Sequence, residues 1–226
     1  MTQAPGGVGA ETTVPRRARS PRGQGEQLRD EILAAAERIL IETNDQSALS
    51  IRAIANAVGV TPPSIYLHFT DRQDLVFAVC ERHAEQLERA MAEAAEGVDD
   101  PWERIKRRGL AYLRWGIENP EHYRILMMSR PDQTPDRFID ERLADTAGLM
   151  PVAEDVAAAI AGQQVSSSRE PLEMAELLWM MIHGTVSLLI SKPDFPFGSP
   201  DEVYERLFDL VHRGLAPRPE PGPVGS

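Results

Sequence analysis

Apolar residues recur at helical spacing through most of this chain, and no stretch shows the two-residue alternation of a strand. Leu28, Ile32, Ala35, Ala36, Ile39 and Leu40 form one stripe and predict an amphipathic helix over 25–43. Ile51, Ile54, Ala55 and Val58 make a second stripe on a short segment that Ser50 is placed to cap. Gly59 is expected to end that segment, because glycine accepts the positive φ of a sharp turn. Thr61, Pro62 and Pro63 open the next helix, a short rod ending at Phe69; prolines are tolerated at first helical positions, whose N–H groups have no helical acceptor. Pro63 has no N–H, so the Ser64 N–H is the expected partner of the Thr61 hydroxyl. Thr70 and Gln73 read as a capping box that launches a long helix to about Glu96. Its first turns carry Leu75, Val76 and Val79, and its later turns are mixed polar, as in a strut joining two domains.

A break at Gly97–Pro101 starts the next predicted helix, through Trp102, Ile105, Leu110, Tyr112, Leu113 and Trp115. A shorter one follows Pro120 through Tyr123, Ile125, Leu126 and Met127. Residues 131–135 read as a loop, 136–161 as a helix interrupted at Gly148 and Pro151, and 162–171 as a polar, mobile loop. The helix predicted over 172–190 is apolar almost all round after its first turn, so it needs cover on two sides. The helix over 201–214 has one broad stripe, including Tyr204, Phe208 and Leu210. These two helices from two copies are expected to form a four-helix bundle. The fold class is therefore all-α. It has a three-helix helix-turn-helix head at 25–80 and a helical ligand-binding and dimerisation domain at 81–216. A disordered arm at 1–24 and a disordered tail at 217–226 flank them.

The run V-G-V-T-P-P-S-I-Y-L-H-F, Val58 to Phe69, resembles the recognition-helix signature of the TetR family of bacterial transcriptional regulators. Thr70 to Val79 is similar to that family's following helix, with Arg72 where a Lys is common. The resemblance covers roughly 27–79. The W-M-M-I-H-G run at Trp179 to Gly184 is similar to the W…HG element of one branch of the family's ligand domains. The resemblance implies a homodimer that binds a palindromic operator in double-stranded DNA and answers to a small-molecule effector. By motif position, Thr61, Pro62, Pro63 and Ser64 would lie at the groove-facing start of the reading helix. Tyr66, His68 and Arg72 would contact phosphates, with Ser50 and Arg52 doing the same from the helix before. Few long polar side chains stand on the reading helix, so base discrimination is expected to lean on Arg52, thymine methyl groups and DNA shape. Ile65 is expected to point into the head, and Leu67 is expected to be hidden too, with its direction left open.

Trp179 and His183 are four apart on one helix face, and with Tyr112, Trp115, Tyr123, Leu126 and Met127 they form the candidate ligand pocket. Plain core packing is the alternative reading of each. A small apolar or amphipathic effector is the expected occupant.

Charge changes this picture less than its total implies. The chain of 226 residues carries a net −11, which should repel DNA. Residues 1–80 hold 8 Lys/Arg against 9 Asp/Glu, a net of −1, so the acid belongs to the remainder. Arg16, Arg17, Arg19 and Arg22 cluster in the arm, as a phosphate-reaching segment or as a solubilising tail. The single Cys80 excludes an intrachain disulfide and a Cys-based zinc site. The five histidines are scattered, and neither a glycine-rich phosphate loop nor a Gly-x-Ser-x-Gly elbow occurs, so no enzyme activity, metal or cofactor is expected. No uninterrupted apolar run of membrane-helix length and no signal-peptide pattern are visible, which points to the cytoplasm and to no membrane partner. The reading is a ligand-responsive repressor. The alternatives are an activator of the same family and a helical protein-interaction adaptor without DNA binding. Salt-sensitive binding to duplex DNA separates the adaptor from the regulators.

Overall fold

The computed structural model describes residues 24–43, 48–128 and 148–216. The arginines of the arm, the expected loop at 131–135, the start of the helix expected from 136, and the tail lie outside the described residues. Among the described residues every regular element is helical. The chain divides into two compact units, Met1–Val79 and Cys80–Ser226.

The first unit holds α1 (Gln24–Thr43), α2 (Ile51–Val58), α3 (Pro62–Tyr66) and the opening turns of α4 (Arg72–Ala95). Ile32, Leu33, Ile54, Ile65, Phe69 and Leu75 are its buried core, one or two from each element. The Arg29 guanidinium lies 5.3 Å above the Phe69 ring, closing that core with a cation–π contact. Two local expectations change here. α3 stops at Tyr66 rather than Phe69; past it the His68 N–H tightens to a three-residue bond with the Ile65 carbonyl (2.9 Å), which the Phe69 N–H shares at 3.1 Å, and the Phe69 ring is buried. The capping box of Thr70 with Gln73 does not form. Asp74 instead accepts from the Thr70 N–H (2.8 Å) and hydroxyl (3.1 Å), while Asp71 accepts from the Asp74 N–H (2.8 Å). A carboxylate is the stronger acceptor at a helix start, where it also meets the positive end of the helix dipole.

The second unit holds the rest of α4, then α5 (Pro101–Glu118), α6 (Pro120–Tyr123), a π-helical turn (Arg124–Met128), α7 (Leu149–Ala161), α8 (Pro171–Ser191) and α9 (Pro200–Leu215). α5, α7 and α8 pack on one another, and α9 covers α5. Two glycines of α5 set these distances. A Cβ on Gly109 would stand 2.2 Å from the Tyr204 hydroxyl, and one on Gly116 would stand 2.6 Å from Val186 Cγ1. The Tyr204 hydroxyl donates to the Lys106 carbonyl at 2.8 Å, fastening α9 to α5. Asp155 of α7 is buried and takes Arg104 Nε at 2.6 Å and Arg108 Nε at 3.0 Å, so α7 is clamped to α5 by a charge-assisted pair on each carboxylate oxygen. Arg104 also donates to the Val98 and Asp99 carbonyls (3.1 and 3.0 Å), tying down the α4–α5 turn.

The 162–171 segment is a connection, as expected, but it is held in place: Val165 is buried and the Ser166 N–H donates to the Leu215 carbonyl at 2.7 Å. By length and composition α8 could cross a membrane, with a mean hydropathy of 1.4. One side of it, Met174, Ala175, Leu178, Ile182 and Val186, is buried in the unit. Its other side leaves Leu177, Met180 and Leu188 exposed.

Candidate functional site

The outward face of the head is built by two caps and one anchor. Ser50 sits in extended backbone and its hydroxyl accepts from the Ala53 N–H at 3.1 Å, fixing the start of α2. Gly59 has φ 78°, and its N–H and that of Val60 both return to the Ala55 carbonyl at 2.9 Å. That left-handed step closes α2 and turns the chain within two residues. Thr61 is extended, and Pro62 and Pro63 take the first positions of α3. The Thr61 hydroxyl does not cap the helix as expected. The Ser64 N–H goes to the Thr61 backbone carbonyl at 2.9 Å, and the two hydroxyls pair with each other at 3.1 Å. With the carbonyl serving that N–H, the side chain is left to its nearest hydroxyl neighbour.

Ile65 is fully buried and holds α3 against the head, leaving Pro62, Pro63 and Tyr66 exposed along its outer side. Tyr66 is 56% exposed and Leu67, just past the helix, is 83% exposed. Ser50 and Arg52 are also exposed, whereas Thr61, Ser64, His68 and Arg72 are half-buried. The nine residues picked by motif position thus all reach the surface of the first unit at least in part. Leu67, expected to be hidden, is instead the most exposed large apolar side chain here: α3 ends at Tyr66, so Leu67 falls just past the helix and points outward.

The second unit contains a cavity of about 40 Å³ with almost wholly apolar walls. α4, α5, α7, α8 and α9 all contribute, among them Met91, Gly109, Val152, Ala175, Trp179 and Tyr204. Of the seven pocket candidates, Tyr112 and Trp179 line this cavity. Tyr123 and His183 stand behind them in one hydrogen-bonded cluster. The Trp179 Nε1–H donates to the Tyr112 hydroxyl at 3.3 Å; that hydroxyl is 3.2 Å from the Tyr123 hydroxyl, which is 2.7 Å from His183 Nδ1. Burial pushes both tyrosine hydroxyls up, and Tyr112 pushes that of Tyr123 further; burial pushes the His183 ring down. The cluster is therefore uncharged near neutral pH, with the Tyr123 hydroxyl and His183 Nδ1 sharing one hydrogen bond.

The other three candidates do not reach the cavity. Trp115 is on the wall of an open groove between α4 and α5, beside Ala94, Leu110 and Arg114. Leu126 and Met127 pack against the core from the π-helical turn, whose extra residue per turn rotates them off the face that the α-helical reading gave them.

Comparison with known proteins bears on both units. Residues 32–79 match the family described as "Bacterial regulatory proteins, tetR family", and residues 105–211 match "Tetracyclin repressor-like, C-terminal domain". The HTH-type transcriptional regulator EthR of Mycolicibacterium smegmatis is 27% identical over 101 residues, 45% of this chain and 46% of that protein. The HTH-type transcriptional activator FasR of the same organism is 26% identical over 101 residues, with the same coverage of 45% and 46%. These alignments span about half the length of the curated relatives. A bacterial regulatory protein of the tetR family from Rhodococcus RHA1, solved by crystallography, superposes with a TM-score of 0.67 at 16% identity, over 85% of this chain and 99% of that one. At that identity the likeness is one of fold.

Proposed function

The chain belongs to the TetR family of bacterial regulatory proteins, and from that premise we propose that it is a cytoplasmic, DNA-binding transcriptional regulator, a homodimeric repressor released by a small apolar or amphipathic effector. The observation that carries the DNA reading is the outward face of α3. Gly59 turns the chain, Ile65 anchors the helix, and Pro62, Pro63 and Tyr66 are left outside at a proline-stiffened helix start. A start of that kind fits a major groove, where Tyr66, His68, Arg72, Ser50 and Arg52 would meet phosphates and position the helix.

Two copies suit the chemistry better than one, since one five-residue reading helix offers little contact area. Leu177, Met180 and Leu188 on α8 and Leu210 on α9 are the apolar side chains that a second copy would cover. The cavity supports the effector reading, because apolar walls with a few polar groups are the common form of a small-molecule site.

The test is footprinting on the DNA flanking the gene that encodes the chain. The reading expects a protected inverted repeat whose half-sites lie about one helical turn apart, ~34–36 Å. It also expects affinity that falls steeply with salt and an Arg52→Ala variant with weaker site discrimination. Affinity no greater for any flanking fragment than for random duplex sinks the regulator reading and leaves the adaptor. One curated relative carries the name of an activator, so transcription in vitro sets the sign: repression lifted by effector supports the proposal, and stimulation overturns it.

A further inference from the structure

The chemistry of the cavity wall restricts what can enter it. Among the described residues no charged side chain lines the cavity, and the polar side-chain groups of the residues that do are the Tyr112 and Tyr204 hydroxyls and the Trp179 indole N–H. Each of these donors already has an acceptor. The Tyr204 hydroxyl donates to the Lys106 carbonyl at 2.8 Å. The Trp179 N–H donates to Tyr112 at 3.3 Å, and the Tyr112 hydroxyl faces Tyr123 at 3.2 Å and His183 Nδ1 at 3.5 Å. An anionic group entering here would give up its hydration for walls that, among the described residues, offer no cation and only the exchangeable indole N–H as donor, and a buried charge so poorly compensated is the costliest group to place.

An uncharged oxygen meets a different situation. The indole–hydroxyl bond is long, so a ligand oxygen can take the Trp179 N–H while the Tyr112 hydroxyl keeps its own bond to the Tyr123–His183 pair. The volume of about 40 Å³ is below the ~150 Å³ that holds a benzene-sized guest, so entry displaces wall atoms. Met91 and Met181, unbranched and polarizable, are the wall side chains best able to move aside.

We propose that the cavity accepts an uncharged, hydrocarbon-rich molecule carrying one hydrogen-bond-accepting oxygen, taken by the Trp179 N–H, and that an anionic end bars a molecule of the same length. This rests on the reading of the cavity as the effector site.

The test titrates the full chain by calorimetry at pH 7.5 with methyl octanoate, 1-octanol and octanoate. The ester and the alcohol bind, and octanoate binds at least about a hundredfold more weakly. Trp179→Phe, which removes the donor, weakens the ester about fivefold. Filling the cavity with Ala175→Leu, or with Val152→Phe should the first variant fail to fold, abolishes ester binding. Octanoate that binds as tightly as the ester and is lost on filling overturns the exclusion of charge and leaves the effector site standing. Ester affinity unchanged in Trp179→Phe overturns the assigned donor. No binding by any of the three, or ester binding that survives filling, overturns the cavity as a ligand site, and this inference with it.

Discussion

Gly116 separates two opposing effects cleanly. Replacing it by alanine favours the helix by about 1 kcal/mol, because alanine loses less backbone entropy than glycine. The new Cβ, however, would stand 2.6 Å from Val186 Cγ1 and 3.0 Å from the Tyr123 ring. Both neighbours are fully buried. Val186 is β-branched in the middle of a helix, with one favoured rotamer, and Tyr123 is held by its 2.7 Å contact with His183. Neither can give way cheaply, so overpacking takes the upper part of its usual range, about 2–3 kcal/mol. The net prediction for Gly116→Ala is a loss of about 1–2 kcal/mol.

All three tryptophans, Trp102, Trp115 and Trp179, lie in the second unit, so urea unfolding followed by tryptophan fluorescence reads that unit specifically. A double-mutant cycle with Val186→Ala isolates the clash. Val186→Ala alone costs about 2 kcal/mol, and in the Gly116→Ala background it costs less by about 1 kcal/mol or more. An alanine variant as stable as the parent protein, or a cycle that is additive, would refute the claim that Gly116 sets the α5–α8 distance.

Three further outcomes can be checked. Asp155→Ala leaves Arg104 and Arg108 facing each other without their shared carboxylate, and thermal denaturation should show a loss of about 3 kcal/mol; a loss under 1 kcal/mol would mean the clamp is decorative. Ser50→Ala removes the α2 cap and costs the head about 1 kcal/mol, whereas Thr61→Val, whose hydroxyl caps nothing, stays within about 0.5 kcal/mol, both read by amide exchange. His183 titrates below its ordinary 6.5 because burial disfavours the charged ring, so as pH falls the unfolded chain takes the proton first. The stability it supports is complete above 6.5 and is lost as pH falls through the folded value. Melting temperatures of the second unit should start to decline as pH drops below 6.5, and less so in His183→Gln; equal slopes in both proteins would count against it.

The head was legible to the extent that its determinants are local. Ser50, Gly59 and Ile65 each act within a few residues, and the structure gives each the part its chemistry implied. The misreadings there are also local, and come from choices between nearby partners. Asp74 outcompetes Gln73 for Thr70, and the Thr61 carbonyl outcompetes its hydroxyl for the Ser64 N–H. Helical periodicity cannot rank acceptors one residue apart; their charge and reach do.

The cavity is a different problem, because its walls come from five helices. Trp179 and His183 could be paired on paper, being one turn apart, but Tyr123 joins His183 across 60 residues and Arg104 reaches Asp155 across 51. Periodicity says that such residues face inward and nothing about which of them meet. Gly109 and Gly116, seven apart and therefore on one face of α5, carried a readable sign of close helix approach, though not of which helix approaches. A substitution in a cap of the head disturbs one turn of helix. One in the cavity wall disturbs contacts shared by several helices at once, and so the stability of the second unit and the fit of its ligand should change together.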